Sequence, residues 1–197
     1  METFTAKTFK IGELTGISAK NIEEHLKLYK GYVTNANLIL NKIKEYESDM
    51  VNNAYIIAEL QRRFAFEFDG MRNHEYYFSE FEGGAKILES GSHFSSLIEK
   101  SYGSFDKFME KFKALAMTRG VGWAILYYDK QTGNLLTQWV DEQHLGQLTG
   151  LSPILALDMW EHAFVYDYPT SEKKKYVEAF FVNLNWSVVE ENLKNAK

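Results

Sequence analysis

Two long stretches near the start of the chain repeat apolar residues at spacings of three and four. In residues 18–45 the row is Ile22, Tyr29, Tyr32, Ala36, Leu40 and Ile43, with His25 falling in step. That spacing places all of them on one face of a helix. Ser18 stands where an N-cap belongs. In residues 54–81 the row is Leu60, Phe64, Met71, Phe78 and Phe81, with Glu67 and His74 in step. It predicts a second helix or a broken pair, ended by Glu82-Gly83-Gly84. Helices this close in sequence pair antiparallel.

The pattern then changes. Ala85–Tyr102 and Ser104–Met117 predict two short helices, the second opening at Ser104. Trp123–Tyr128 is strand-like, Lys130-Gln131-Thr132-Gly133 is a turn, and Asn134–Val140 returns, which makes a hairpin. Leu151–Asp158 is a third apolar strand, and Glu161–Tyr168 and Glu172–Lys194 predict helices. The expected fold class is α+β. An N-terminal helical hairpin domain (residues 1–83) precedes a C-terminal α/β domain (residues 84–197) with a three-stranded antiparallel sheet.

Composition narrows the chemistry. Aromatic residues make up 15% of the 197 residues, enough for a packed interior. There is no cysteine, which excludes disulfides, zinc–thiolate sites and iron–sulfur clusters, so a metal would have to be held by His, Asp or Glu. The net charge is −5 with both signs interspersed, and no basic patch suggests nucleic acid. An anionic substrate would have to be attracted locally. The start, METFTAKTFKIGEL, lacks an apolar signal region, and no run reaches membrane length. A cytoplasmic location without membrane association is expected.

The chemistry-bearing residues concentrate in Asp-Met-Trp-Glu-His-Ala-Phe, residues 158–164. A strand ends in a carboxylate, Asp158, and His162 follows four residues later. His25 and His74 lie on the inward rows of the two long helices. Either histidine alone reads more readily as a core residue bonded to a carbonyl. With Asp158 and His162 the balance shifts. Four separate polar groups in an aromatic interior would each cost about 1–3 kcal/mol if unsatisfied, and one transition-metal ion satisfies all four. His93 sits in a Gly/Ser loop and reads as solvent-facing, while His144 follows Gln143 after the strand hairpin. A di-iron carboxylate bundle is excluded, because Ile22, Met71 and Met159 stand three residues before His25, His74 and His162, where an E-x-x-H motif needs glutamate.

Seven stretches, ISAKNIEEH, YVTNANL, RNHEYYF, GSFDKF, GVGWAIL, LDMWEHAFVYDY and VNLNW, span nearly the whole chain. In them the sequence resembles the iron/manganese superoxide dismutases. The resemblance implies a metal between a helical hairpin and an α/β domain. It implies one iron or manganese ion per chain, bound by His25, His74, Asp158 and His162 with solvent as the fifth ligand. The implied activity is disproportionation of superoxide to oxygen and hydrogen peroxide. Three imidazoles and one carboxylate leave a modest positive charge in both metal oxidation states, so the metal can oxidise one superoxide and reduce the next. The alternative is a metal-free relative kept as a structural or binding module.

The resemblance also implies a glutamine bonded to the metal-bound solvent, from one of two places. The first, four residues before the second histidine, is Gly70 here. The second is the loop after the hairpin, where Gln143 fits and His144 is the rival. Glycine at the first place with glutamine at the second resembles the manganese-type arrangement. The family's gateway tyrosine lies eight residues after the first histidine, but Tyr32 lies seven after His25. Seven residues turn a regular helix by about 700°, only about 20° off the His25 face, whereas the family spacing needs a π-bulge. Tyr32 is therefore the expected gateway on an unbulged helix, with Tyr29 as its rival. Tyr29 and Val165 replace a family histidine and tyrosine that meet across a dimer interface, and Lys173, Lys174 and Lys175 stand nearest to a family arginine. Trp123 and Trp160 match aromatics that wall the metal. A homodimer built around Glu161 and His162 is expected, because Glu161 has no obvious partner in its own chain and a buried lone carboxylate would be costly.

Overall fold

The computed structural model describes residues 3–196. Helix α1 (Ala19–Tyr46) begins where the Ser18 hydroxyl accepts the Asn21 N–H at 3.1 Å. It is α-helical throughout, with no π-turn. Its buried row is Ile22, His25, Tyr29, Val33, Ala36 and Ile39, so Val33 takes the central place expected of Tyr32, which is half-buried at the edge. A 3₁₀ turn (Glu47–Asp49) leads into α2 (Met50–Ser79), capped by Asp49. This is one unbroken helix that starts four residues before the periodicity suggests. Its first turns carry exposed Val51 and Tyr55 and therefore have no inward row to read.

After α2 the glycines Gly83 and Gly84, both at positive φ, turn the chain. Residues 85–92 are not helical, contrary to the expected start of a helix at Ala85. Lys86 instead bridges to Asn185, and Ser92 caps α3 (His93–Tyr102) through the Ser95 N–H. Helix α4 (Phe105–Ala116) starts after Ser104, as its sequence indicates. Strands β1 (Gly122–Asp129), β2 (Asn134–Asp141) and β3 (Ser152–Asp158) form an antiparallel sheet in the order β2-β1-β3. The β1–β3 register slips between Leu126 and Tyr127, beside Pro153, which has no N–H to donate.

Two further expectations are corrected. Residues 161–168 form only a 3₁₀ turn (Glu161–Ala163) followed by hydrogen-bonded turns. Residues 172–194 split into α5 (Lys173–Asn183) and α6 (Trp186–Asn195). The split has a local cause. Asn183 bonds to both the N–H and the carbonyl of Thr15, and Asn185 caps the Ser187 N–H while donating to the Glu82 carbonyl. Side-chain amides that bind backbone in this way compete with helix continuation.

Between α2, the sheet and α5 lies an aromatic core that includes Tyr77, Phe78, Phe81, Trp123, Tyr176 and Phe180, all fully buried. Glu80 is fully buried with them. Its Oε1 accepts the Ala156 N–H at 2.8 Å, while Oε2 has no partner. Burial pushes its carboxyl well above the usual carboxylate range. A carboxyl raised in the folded state contributes its full stability below the unfolded value. That stability drains away as pH climbs from there through the folded value. Glu80→Gln should therefore flatten the fall in melting temperature as pH rises above the usual carboxylate range, relative to the parent protein in the same metal state. Parallel pH slopes for the two proteins would show that Glu80 does not titrate in this way.

Candidate metal centre

The four polar residues expected to converge arrive on four different elements. α1 and α2 run side by side and present His25 and His74 to each other, with ring centroids 4.9 Å apart. Asp158 is the last residue of β3, paired with Trp123 on β1. His162 sits on the 3₁₀ turn that follows. The Nε2 atoms of His25, His74 and His162 lie 3.1, 3.5 and 3.1 Å from the same oxygen, Asp158 Oδ2. The potential ligand atoms all lie within 4.8 Å of one another. The other carboxylate oxygen accepts the Trp160 N–H at 2.8 Å, and the Asp158 carbonyl accepts the Tyr176 hydroxyl at 2.9 Å. Backbone and side chain of Asp158 are thus both fixed.

Protonation shows what the cluster suits. The His74 Nδ1–H donates to the Gly70 carbonyl at 2.6 Å, which leaves Nε2 as a bare lone pair. Burial pushes the His74 pKa down to about 3, with His25 adding to the effect, and burial also lowers His25. Both rings are therefore neutral at ordinary pH. Burial alone would raise Asp158, but His162 and His25 outweigh it and hold the carboxyl well below the usual range. His74 Nε2, buried and without a hydrogen-bond partner, points its lone pair at an anionic oxygen. A cation between the two turns that repulsion into two bonds. Three imidazole nitrogens and one carboxylate oxygen are a donor set for a borderline transition metal. The residues present fit iron or manganese.

A hydrogen-bonded layer adjoins the cluster. Gln143 is fully buried, and its Oε1 accepts the Trp123 indole N–H at 2.8 Å. Its amide nitrogen donates to the Tyr32 hydroxyl at 2.9 Å. Trp123 packs against the His74 ring at 5.0 Å, and so does Tyr32. The Tyr32 ring also explains Gly70, since a Cβ there would come within 2.6 Å of Tyr32 Cδ1. Glu142, just before Gln143, is the one non-glycine residue at positive φ among the described residues. Its conformation is held by its N–H to the Val121 carbonyl and by the Trp160 indole donating to its own carbonyl.

The rivals lie elsewhere. Tyr29 is fully buried, accepts the Lys7 N–H and donates to Glu75 Oε1. His144 presses its ring against Phe66 at 5.7 Å, and its Nδ1 is buried without a partner. His93 is exposed at the first turn of α3. Trp160 stacks on His162 at 5.6 Å. Lys173 is spent on the Thr118 carbonyl and stands over Trp139, and Lys175 pairs with Glu172. Glu161 is exposed in the single chain, beside exposed Val165 and Tyr166, so it is not the buried lone carboxylate that was expected.

Several residues at the site escape the sequence reading. Asn73 donates to the Gln143 carbonyl at 2.9 Å, Gln147 donates to the same oxygen and to Asn73 Oδ1, and the Tyr127 hydroxyl donates to Gln147. Tyr77 and Tyr176 join their hydroxyls at 3.1 Å below Asp158. Only Asn73 had a sequence signal, its place beside His74.

Comparison with known proteins agrees with this geometry. Residues 90–192 match the family described as iron/manganese superoxide dismutases, C-terminal domain. A superoxide dismutase [Fe] of Aquifex pyrophilus is 36% identical over 188 residues, 93% of this chain and 87% of that protein. A superoxide dismutase [Mn/Fe] of Aeropyrum pernix is 33% identical, covering 87% of this chain and 80% of its own length. A superoxide dismutase [Mn] of Mycolicibacterium smegmatis is 34% identical, covering 84% and 79%. With one relative so similar over almost its full length, and a family match over more than half of the chain, this protein belongs to the iron/manganese superoxide dismutase family.

Proposed function

We propose that the chain is a superoxide dismutase that binds one iron or manganese ion through His25, His74, Asp158 and His162. The observation that carries this reading is the convergence of three histidine Nε2 atoms on Asp158 Oδ2 with the His74 lone pair unsatisfied. The bound metal would supply a site that takes one electron from a superoxide and returns it to the next. The chain's own residues handle orientation and protons. Residues 1–83 would contribute His25 and His74, and residues 84–197 would contribute Asp158 and His162. The Gln143 amide is oriented by Trp123 and has one N–H beyond the one given to Tyr32. Burial raises the Tyr32 hydroxyl well above its usual range, so it keeps its proton. Having accepted from Gln143, the hydroxyl is free to donate that proton at the gateway.

The metal is open between the two ions. The relatives are named for iron, manganese or both. Glycine at position 70 with glutamine at 143 resembles the manganese-type pattern. We also propose a homodimer through Glu161 and His162, supported by the exposure of Glu161, Val165 and Tyr166 around half-buried His162. Among the described residues no helix is long and apolar enough to cross a membrane. A cytoplasmic location completes the reading.

Protein purified without chelator should carry up to about one iron or manganese per chain, judged against a four-ligand mononuclear site. It should also consume superoxide and sediment at twice the chain mass. Separate reconstitution with each metal would assign the active ion. A stoichiometric zinc protein inactive under every loading would overturn the function, and a fully active monomer would overturn the dimer.

A further inference from the structure

Strand β3 lies at the edge of the sheet, whose order is β2-β1-β3. Ile154, Ala156 and Asp158 are fully buried there, so backbone groups facing away from β1 need partners other than a strand. They find them at alternate residues. The Ile154 carbonyl accepts the Asn192 amide at 3.1 Å. The Ala156 N–H donates to Glu80 at 2.8 Å, and the Asp158 carbonyl accepts the Tyr176 hydroxyl at 2.9 Å. Alternate residues of a strand turn their backbone groups to the same edge. Side chains from α6, the end of α2 and α5 thus stand in for a fourth strand.

The last of these bonds falls on Asp158 itself. From its own turn, Asp158 Oδ1 accepts the Trp160 N–H, and from β1 the Gly122 carbonyl accepts the Met159 N–H at 2.9 Å. Tyr176 ties the residue from the helical side. A carbonyl only accepts, and one hydroxyl proton cannot serve two acceptors fully. The Tyr176 proton therefore goes to Asp158, and the Tyr77 hydroxyl, 3.1 Å away, donates to the Tyr176 oxygen. Both rings are fixed. Tyr176 stacks on Phe164 at 5.4 Å and Tyr77 on Phe180 at 5.8 Å. Tyr77 also packs on the His25 ring at 5.0 Å.

We propose that Tyr176 is a positioning residue for Asp158: its hydroxyl, backed by Tyr77, fixes the backbone of the carboxylate ligand and so the aim of Oδ2 at the three histidines. The proposal rests on the metal-site reading above. Asp158 is where such control has most leverage. Its Oδ2 lies 3.1 to 3.5 Å from all three Nε2 atoms. A rotation of the backbone at residue 158 would shift that oxygen against every other donor at once, whereas a change at one histidine moves one donor. Outer partners that orient a ligand tune the affinity and geometry of a metal site without touching the ion.

The competing role for Tyr176 is core packing alone. Tyr176→Phe separates the two, because it keeps the ring and its stack on Phe164 and removes only the hydroxyl. Asn192→Ala is the control, since it removes a bond of the same kind at Ile154, four residues back on the same strand. Each full-length protein would be loaded with cobalt(II), whose visible absorption reports ligand geometry. Affinity would be read by competition with a chelator. Neither readout needs turnover, so both stand apart from dismutase activity. Tyr176→Phe should bind cobalt about 10- to 100-fold more weakly, with a shifted absorption spectrum. Tyr77→Phe should move both readouts the same way by less, because Tyr176 keeps its own proton for Asp158. Asn192→Ala should melt lower yet bind cobalt as the parent does, with the parent's spectrum. Tyr176→Phe with the parent's affinity and spectrum overturns the proposal. So does Asn192→Ala with losses equal to those of Tyr176→Phe, since the cause would then be a general loosening of β3. If Tyr176→Phe does not fold, Tyr77→Phe decides on the same two readouts. A parent protein that takes up no metal overturns the metal-site reading itself, and the proposal with it.

Discussion

His74→Ala should abolish metal binding and lower stability in one step, the largest effect expected of any single substitution in this protein. The ring is fully buried and touches His25, Trp123, Tyr32 and Phe78, so its removal opens a cavity inside the aromatic cage. Emptying a buried aromatic position costs about 3–5 kcal/mol by itself. The second loss is linkage. A metal bound only by the folded state adds about 2.7 kcal/mol when present at a hundred times its dissociation constant. With one of the four donors gone, that increment should disappear. Chemical denaturation with and without added manganese would separate the two contributions. The parent protein should gain stability with metal, and His74→Ala should be weaker in both conditions and indifferent to the ion. His93→Ala serves as the control, since His93 is exposed at the start of α3. Stoichiometric metal retained by purified His74→Ala would remove this residue from the ligand set.

Helical periodicity locates α1 and α2 because a long helix against a core must repeat its apolar row, and an extra turn does not change the phase. The same logic finds Asp158, since an apolar strand ending in a carboxylate is a compact local signal. Where periodicity misleads, a competing local bond is visible. Residues 85–92 have helix-compatible composition, yet Lys86 pairs with Asn185 and Ser92 starts the helix late. Residues 172–194 read as one helix until Asn183 and Asn185 bind distant backbone at Thr15 and Glu82. Those partners are remote in sequence, so no window around the helix contains them. The exposure of Glu161 is a different case. Its neighbours Trp160 and Ala163 suggest burial, but the turn at residues 161–163 directs Glu161 outward while Ala163 goes in.

The layer around the cluster is only partly legible for a related reason. Gln143 and Tyr32 are named by the family resemblance, and for Tyr32 a regular helix that brings residue 32 close to the face of residue 25 is consistent with it. The supports of Gln143 are not. Asn73, Gln147 and Tyr127 meet only because the loop after β2 folds back onto α2, and loop geometry leaves no periodic trace. Gly70 has the same character. Its lack of a side chain matters only once the Tyr32 ring is seen lying against it.

Gln143→Ala should leave metal content near that of the parent while reducing turnover by about 10- to 100-fold, the usual scale for residues that support a metal site without touching the ion. Gln143 contacts Tyr32 and Trp123 and is not one of the four converging residues, so the ligand atoms keep their places. What goes is the link between the Tyr32 hydroxyl and the Trp123 indole. The buried Trp123 N–H also loses its acceptor, a cost of about 1–3 kcal/mol that should appear as a lower melting temperature. Tyr32→Phe should be milder, because Gln143 would still be held by Trp123. His144→Ala should have little effect on turnover, because that ring faces Phe66 rather than Tyr32. Metal analysis, steady-state superoxide decay and the resting oxidation state, measured on all three variants, give the test. If His144→Ala reproduces the loss and Gln143→Ala does not, the donor is His144, and the bond between Gln143 and Tyr32 is structural only.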